Sequence, residues 1–371
     1  MRTNDVKPPL KVQFPATLQP DATGADLYGY FHPATHHVLV LPPEAPLEGS
    51  INLSRGADAP GLMASHQPTG WTFSATGRTC IAEPYELDLS LFSRHRGLLQ
   101  ASAMRECGVL LCGCGSVGSL AALDLARSGV GRFLLVDDDI LSIENLCRHQ
   151  GALPDVGRHK VEVVADRIRQ INPYAEVLTK TSALERVDPS VVAGFCSGNT
   201  LIVACADSRR ADRYAARLAV DLQLPFLSIG LWERAFAGEL FTWQPGCALP
   251  CYSCAFAGLD AALSARPQAP RRFYSTQSEQ EAVSFQPGLA VEIAWVTQIG
   301  LKLALDLLNS KTEGYVPRLL GQLSQYTLVC NSNDPRLGGE AAEIFSHPLQ
   351  VTTSIQVGGA EAQQRCCCCS S

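Results

Sequence analysis

The chain has 371 residues, a formal net charge of −6, 46% hydrophobic residues and 15 cysteines. That length predicts two domains with a full hydrophobic core, and the acidic balance without a basic run argues against nucleic acid as the main partner. Fifteen cysteines in so long a chain do not read as a small secreted disulfide framework. The polar start Met1-Arg-Thr-Asn-Asp5 lacks a following apolar stretch, so no signal peptide and a cytoplasmic location are expected.

Residues 1–88 are punctuated by Pro, Gly, Thr and Ser around short β-like runs such as His37–Leu41 and Trp71–Phe73, which predicts a small β-rich domain or partly extended arm of unassigned role. The pattern then changes. Val109-Leu-Leu-Cys-Gly-Cys-Gly-Ser-Val-Gly118 is an apolar strand running into G-x-G-x-x-G and then a helix that ends at Gly129. Gly113 allows the tight turn, Gly115 lets backbone N–H groups approach a phosphate, and Gly118 lets the helix pack on the sheet. A second apolar strand, Phe133–Val136, ends in Asp137, about 20 residues beyond the glycines, where a carboxylate holds a ribose hydroxyl.

The residues after Asp137 distinguish the nucleotide chemistry. Asn145 and Arg148 lie just past this acid, and Lys160 comes a dozen residues later, at the start of a helix with Val161, Val164, Ile168 and Ile171 on one face. Arg148 and Lys160 bracket the place of a triphosphate, where charge-assisted contacts to phosphate oxygens are needed. Thr200–Ala206 reads as a buried parallel strand with Asp207 at its carboxyl end, a position suited to a magnesium ligand. A helix over Ala211–Leu222 and a strand over Pro225–Gly230 continue a β/α alternation, giving a Rossmann-like, doubly wound α/β sheet. Cys251-Tyr-Ser-Cys254 is a CxxC pair that by itself leaves metal, redox pair and neither open, and Cys366–Cys369 repeats the spacing with two cysteines to spare; two such pairs would deliver the four soft ligands of tetrahedral zinc. The apolar stretch Leu289–Leu308 is interrupted by Glu292, Gln298, Lys302 and Asp306, so it is expected to be a buried helix and not a membrane span.

The ordered set G-x-G-x-x-G, D-x-D (Asp137 and Asp139), N-L-x-R, D-x-G-x-x-K, N-P and Ala204-Cys-Ala-Asp207 resembles the ThiF/MoeB-type adenylyltransferases, related to ubiquitin-activating enzymes, over roughly Leu91 to Val329. The resemblance implies an adenylation domain over about 89–330, with a tail from 331 completing a structural zinc site through Cys251, Cys254, Cys366 and Cys369. It implies ATP bound by Gly113, Gly115, Ser116, Gly118, Asp137, Asp139 and Asn145, with Arg148, Lys160 and a magnesium-holding Asp207 at the chemistry. Ser116 stands where the family usually carries a glycine. Arg94, in Leu91-Phe-Ser-Arg-His95, matches an arginine that reaches across a homodimer into the partner's ATP site, although Leu91 and His95 depart from the family pattern.

The implied reaction adenylates the C-terminal carboxylate of a ubiquitin-like or sulfur-carrier protein ending in glycine, with a conjugating enzyme as a further partner. The crossover segment, about 266–286, carries no cysteine where thioester-forming members have theirs. Three readings stay open: the reaction stops at the acyl-adenylate, Ala282 or Ser284 occupies the cysteine's place, or Cys196 or the terminal run supplies a thiol. Adenylation of a short peptide (MccB-type), action on modified tRNA (TcdA-type), a catalytically weak scaffold and NAD-dependent oxidoreduction are the competing functions.

Overall fold

The computed structural model describes residues 8–42, 49–196, 198–256 and 287–352. The crossover segment, Ala282, Ser284 and Cys366–Cys369 lie outside them. The chain divides into two compact units, Met1–Arg96 and Gly97–Ser371.

The first unit is built on β1 (Lys11–Pro15), β2 (Tyr28–His32), β3 (His37–Val40), β4 (Ile51–Asn52), β5 (Leu62–Gln67), β6 (Gly70–Ala75), β7 (Arg78–Thr79) and β8 (Ile81–Tyr85). Five of these form a mixed sheet in the order β4-β2-β3-β1-β8, and β5-β6-β7 form a separate antiparallel meander. Val12, Phe14, Val38, Val40, Leu53, Leu62 and Phe73 make their shared core. The unit ends in the short helix α1 (Leu87–Leu91) and a single 3-10 turn, Ser93–His95, on which Arg94 is exposed.

The second unit opens with α2 (Ala101–Glu106) and then winds β9 (Gly108–Cys112), α3 (Ser116–Arg127), β10 (Arg132–Val136), α4 (Lys160–Ile171), β11 (Glu176–Lys180), α5 (Pro189–Phe195), β12 (Thr200–Ala204), α6 (Arg209–Asp221) and β13 (Phe226–Leu231). The parallel strands run β11-β10-β9-β12-β13, so the order reverses between β9 and β12. Side chains alternate between the faces: Val109 and Leu111 join the core under α3 and α4, while Leu110 and Cys112 join the core under α5 and α6. Both faces are therefore covered, which explains why β9 and β12 are buried at every position and read as continuous apolar runs.

Beyond β13 the sheet continues differently. β14 (Ala237–Trp243), β15 (Tyr326–Cys330) and β16 (Val351–Thr352) add antiparallel to complete eight strands. The β/α alternation of the sequence extends only as far as β13. Between β14 and β15 lie α7 (Tyr252–Ala255) and the long α8 (Ala290–Leu308), whose buried residues Ile293, Val296, Leu303, Ala304 and Leu307 join the core beneath α3. Gly300 and Gly238 allow this packing: an added Cβ would come within 2.6 Å of Ile229 and 2.4 Å of Val296, respectively. Among the described residues no helix is long and apolar enough to cross a membrane.

Candidate active site

The register fixes where functional groups can meet. Gly108–Cys112 aligns residue for residue with Arg132–Val136 on one side and Thr200–Ala204 on the other. The glycine turn after β9, Asp137 after β10 and Asp207 after β12 therefore emerge at one edge of the sheet, at the reversal of strand order. Open α/β sheets bind ligands in that crevice.

The turn is held from several directions. Gly113 has φ +93°, and a Cβ there would lie 2.9 Å from the Cys205 carbonyl and the Ala206 nitrogen. A Cβ on Gly118 would fall 1.9 Å from the Gly113 oxygen, so α3 can approach β9 only with glycine at this position. Gly115 is different: nothing lies within 4 Å of where its Cβ would be. It caps α3, and the N–H groups of Gly115, Ser116 and Val117 have no acceptor among the described residues. Three such donors at the positive end of a 12-residue helix make a cradle suited to an anion.

Asp137 supports this cradle and borders it. Its Oδ2 accepts from the Cys114 N–H at 2.6 Å and its Oδ1 from the Asp139 N–H at 2.8 Å. Burial raises its pKa from the ordinary carboxylate value, with those two N–H donors and Lys160 pulling the other way. Each oxygen keeps a lone pair for a further donor such as a hydroxyl.

The 137–160 segment folds back on itself. Leu141 N–H donates to the Arg158 carbonyl and Gly157 N–H to the Leu141 carbonyl, so Lys160 returns to Asp139, its N–H bonding that residue's carbonyl at 3.0 Å. The Lys160 side chain is only 11% exposed, and its ammonium stands 2.6 Å from the Asp139 carboxylate. Asp155 secures the fold: buried, it accepts from Ala152 N–H and pairs with Arg158 and Arg167. In the D-x-G-x-x-K pattern, Asp155 and Gly157 (φ +91°) thus shape the turn that delivers Lys160.

Asn145 closes a capping box with Ser142, accepting the Ser142 N–H at 3.1 Å. Arg148 lies with a guanidinium nitrogen 3.8 Å from the Cβ position of Gly288, beside the start of α8. Asp207 is exposed, one residue before the Ser208 cap of α6, whose hydroxyl accepts from Ala211 N–H. Arg94 belongs to the first unit. Cys251 and Cys254 are both 3% exposed; Cys251 caps the single turn of α7, Cys254 lies within it, and neither is in a disulfide.

Two features were not anticipated from sequence. His149, 5% exposed, reaches the glycine turn, with Nε2 2.9 Å from the Cys114 carbonyl. A polar network beneath Asp207 pins α6 to the antiparallel strands. Arg209 pairs with Glu239 at 2.8 Å and lies over the Phe256 ring, and Glu239 also accepts from Tyr326 and Trp232. Next to it Asp212 accepts from Ser228 and Tyr252, while its Oδ1 has no partner among the described residues. Burial pushes the Asp212 pKa up to about 7, against the opposing pull of Ser228, Tyr252 and Arg209.

An acid whose folded pKa exceeds its unfolded value binds more protons folded than unfolded, so it costs stability as pH rises from about 4 to about 7. Asp212→Asn removes that cost. Its melting temperature should exceed the wild-type value by roughly 5 °C at pH 8 and by clearly less at pH 5. An equal difference at both pH values would contradict the shift.

The chain belongs to the ThiF family, which matches residues 87–334. It is 30% identical over 155 residues to the molybdopterin-synthase adenylyltransferase of Salmonella typhimurium, covering 41% of this chain and 59% of that protein. Ubiquitin-like modifier-activating enzyme 5 of Arabidopsis thaliana is 31% identical over 170 residues, 41% of this chain and 38% of the relative. The tRNA threonylcarbamoyladenosine dehydratase of Escherichia coli is 42% identical over 124 residues, 33% of this chain and 45% of the relative. The chain thus spans between 38% and 59% of the length of these relatives. A solved structure of E. coli MccB with ATP superposes with a TM-score of 0.50 at 17% identity, over 72% of this chain and 68% of that one, a likeness of fold.

Proposed function

We propose that the second unit is an adenylyltransferase that activates a carboxylate with ATP. The observation that carries this reading is the meeting, at the switch point of the sheet, of the cradle at Gly115–Val117 with Asp137 and with Lys160 held on Asp139. On this reading the phosphates lie on the Gly115, Ser116 and Val117 N–H groups, and Asp137 accepts from the ribose. Gly113 and Gly118 shape the turn. The carboxylate oxygen bonds to the α-phosphorus as the bond to pyrophosphate breaks. Lys160 and Arg148 offset the charge that develops there, and Asn145 donates to a phosphate oxygen. Asp207 has the donor type and exposure to hold magnesium, which would neutralise pyrophosphate as it leaves. No side chain here needs to form a covalent bond; positioning and electrostatics carry the step.

The likeness to a molybdopterin-synthase adenylyltransferase and to a ubiquitin-like modifier-activating enzyme supports a ubiquitin-like or sulfur-carrier protein as the source of the carboxylate. The tRNA-modifying relative supports a second reading, in which the carboxylate is on modified tRNA. A net charge of −6 disfavours it, since tRNA binding rests on phosphate neutralisation by basic side chains. Calorimetry with ATP and magnesium, set against NAD, tests the nucleotide assignment. ATP should bind and NAD should not; the reverse would return the site to oxidoreductase chemistry.

Zinc extends the proposal. Cys251 and Cys254 are a buried pair of soft donors with two residues between them, a fit for half of a tetrahedral site that Cys366 and Cys369 complete. Protein purified under reducing conditions should hold about one zinc per chain, lose it to a chelator with a lower melting temperature, and lose it in Cys251→Ser. Zinc-free wild-type protein of unchanged stability would end this assignment.

A further inference from the structure

His149 follows Arg148 directly, and its ring bridges its own segment and the glycine turn. Gly151 N–H donates to Nδ1 at 2.8 Å, so Nδ1 is the acceptor, Nε2 holds the proton, and the 2.9 Å contact to Cys114 is an N–H donated to its carbonyl. The ring is buried, and burial lowers its pKa from the ordinary histidine value, which keeps this neutral tautomer in place. Gly151 is adapted to the arrangement. A Cβ there would sit 2.7 Å from the end of the Leu141 side chain and 3.1 Å from Nδ1, so a larger residue would have to displace Leu141 and crowd the ring. The same loop is tied to α3 by Gln150 N–H on the buried Ser119 hydroxyl, and the His149 N–H returns to the Asn145 carbonyl at 2.8 Å.

Cys114 is consequently held at both ends, its N–H by Asp137 and its C=O by His149. The peptide unit joining Cys114 to Gly115 is planar and trans, so its N–H points opposite to its C=O. Whatever fixes the Cys114 oxygen also aims the Gly115 N–H. We propose that His149 is a positioning residue for nucleotide binding: by holding the Cys114 carbonyl it orients the Gly115 N–H toward the phosphates and locks the glycine turn to the segment bearing Asn145 and Arg148. This role rests on the nucleotide reading of the crevice. His149 touches no ligand; it acts through one peptide plane.

Two substitutions separate the two ends of the ring. His149→Gln carries an amide N–H that reaches the position of Nε2 and can still donate to the Cys114 carbonyl. His149→Asn places its oxygen near the position of Nδ1, keeps the Gly151 bond and leaves the Cys114 carbonyl without its donor. Calorimetric titration of each full-length chain with ATP and magnesium reads the dissociation constant separately from the fraction of protein competent to bind. His149→Gln should bind within about threefold of wild type, and His149→Asn about tenfold or more weakly, with an unchanged competent fraction. A purely structural histidine would instead lower the competent fraction and leave the dissociation constant of the remainder at the wild-type value in both variants; that result overturns the proposal. Wild-type protein that binds no ATP overturns the nucleotide reading and this role together, whereas wild type and His149→Asn binding equally well removes only the role of His149.

Discussion

Asp207→Asn is expected to lower carboxylate-dependent exchange of pyrophosphate into ATP by about 100-fold, with the fold intact. The physical case is the contrast between what Asp207 does for stability and where it stands. It is exposed, makes no ion pair among the described residues, and follows β12 at the edge where the glycine turn and Asp137 also emerge. Its neighbours carry the packing instead: Ser208 caps α6, and Arg209 and Asp212 fasten α6 to β13, β14 and α7. The carboxamide keeps the shape and removes the charge a divalent cation requires, so the melting temperature should stay within about 1 °C of wild type while exchange falls. Wild-type exchange would remove Asp207 from the site. The same variant tests the proposed homodimer. Mixed with Arg94→Ala, it should regain part of the activity if Arg94 serves the partner's site, because one site of each mixed dimer keeps both groups; a dead mixture of chains that demonstrably exchange would deny that role.

The largest loss of stability is expected at Asp306, in the last turns of α8. This carboxylate is fully buried and accepts from the backbone N–H groups of Arg318, Leu319 and Leu320 and from the Tyr315 hydroxyl. It thereby fixes the connection from α8 into β15. Asp306→Ala leaves those donors without an acceptor and opens a hole beside them, which should cost about 2–4 kcal/mol and lower the melting temperature by roughly 5–12 °C. Asp306→Asn can turn its oxygen toward the N–H groups and its amide toward Tyr315, and should lose about 1 kcal/mol. Equal losses in the two variants, measured by thermal or denaturant unfolding, would show that charge and not hydrogen-bond acceptance holds this turn.

Four of the five parallel strands were legible because their signals are local; the edge strand β11, exposed or half-buried at every position, left no such signal. The helix over Lys160–Ile171 has the bounds its 3.6-residue periodicity implies, and Gly129 ends α3 in the left-handed conformation with φ +97°. The antiparallel extension was not legible. β14 alternates irregularly between buried and half-buried positions because its pairing with β13 and with a strand more than 80 residues later decides its faces. The same distinction runs through the site. Gly113, Gly115, Gly118, Asp137 and Lys160 stand in spaced motifs, each near the end of a readable element. His149 reaches a carbonyl 35 residues back, and Tyr252 meets Asp212 across 40 residues, so neither role leaves a mark on nearby sequence. The one local signal was a histidine set between Arg148 and a glycine two residues on.

Asp155 behaves in a related way. Within D-x-G-x-x-K it is a buried turn-former, paired with Arg158 and Arg167 so that the lysine of the motif is presented to Asp139. Spacing in a motif records the geometry of the turn as well as the chemistry of its last residue.

The central claim, that this crevice activates a carboxylate by adenylation, is tested most directly by exchange of labelled pyrophosphate into ATP. The full-length protein is assayed with ubiquitin-fold carriers ending in Gly-Gly and with the same carriers lacking those two residues. Exchange that appears with an intact carrier, vanishes with its truncated form and is lost in Lys160→Ala is the predicted result. ATP bound without exchange in the presence of any glycine-ended carrier would contradict adenylation of such a carboxylate.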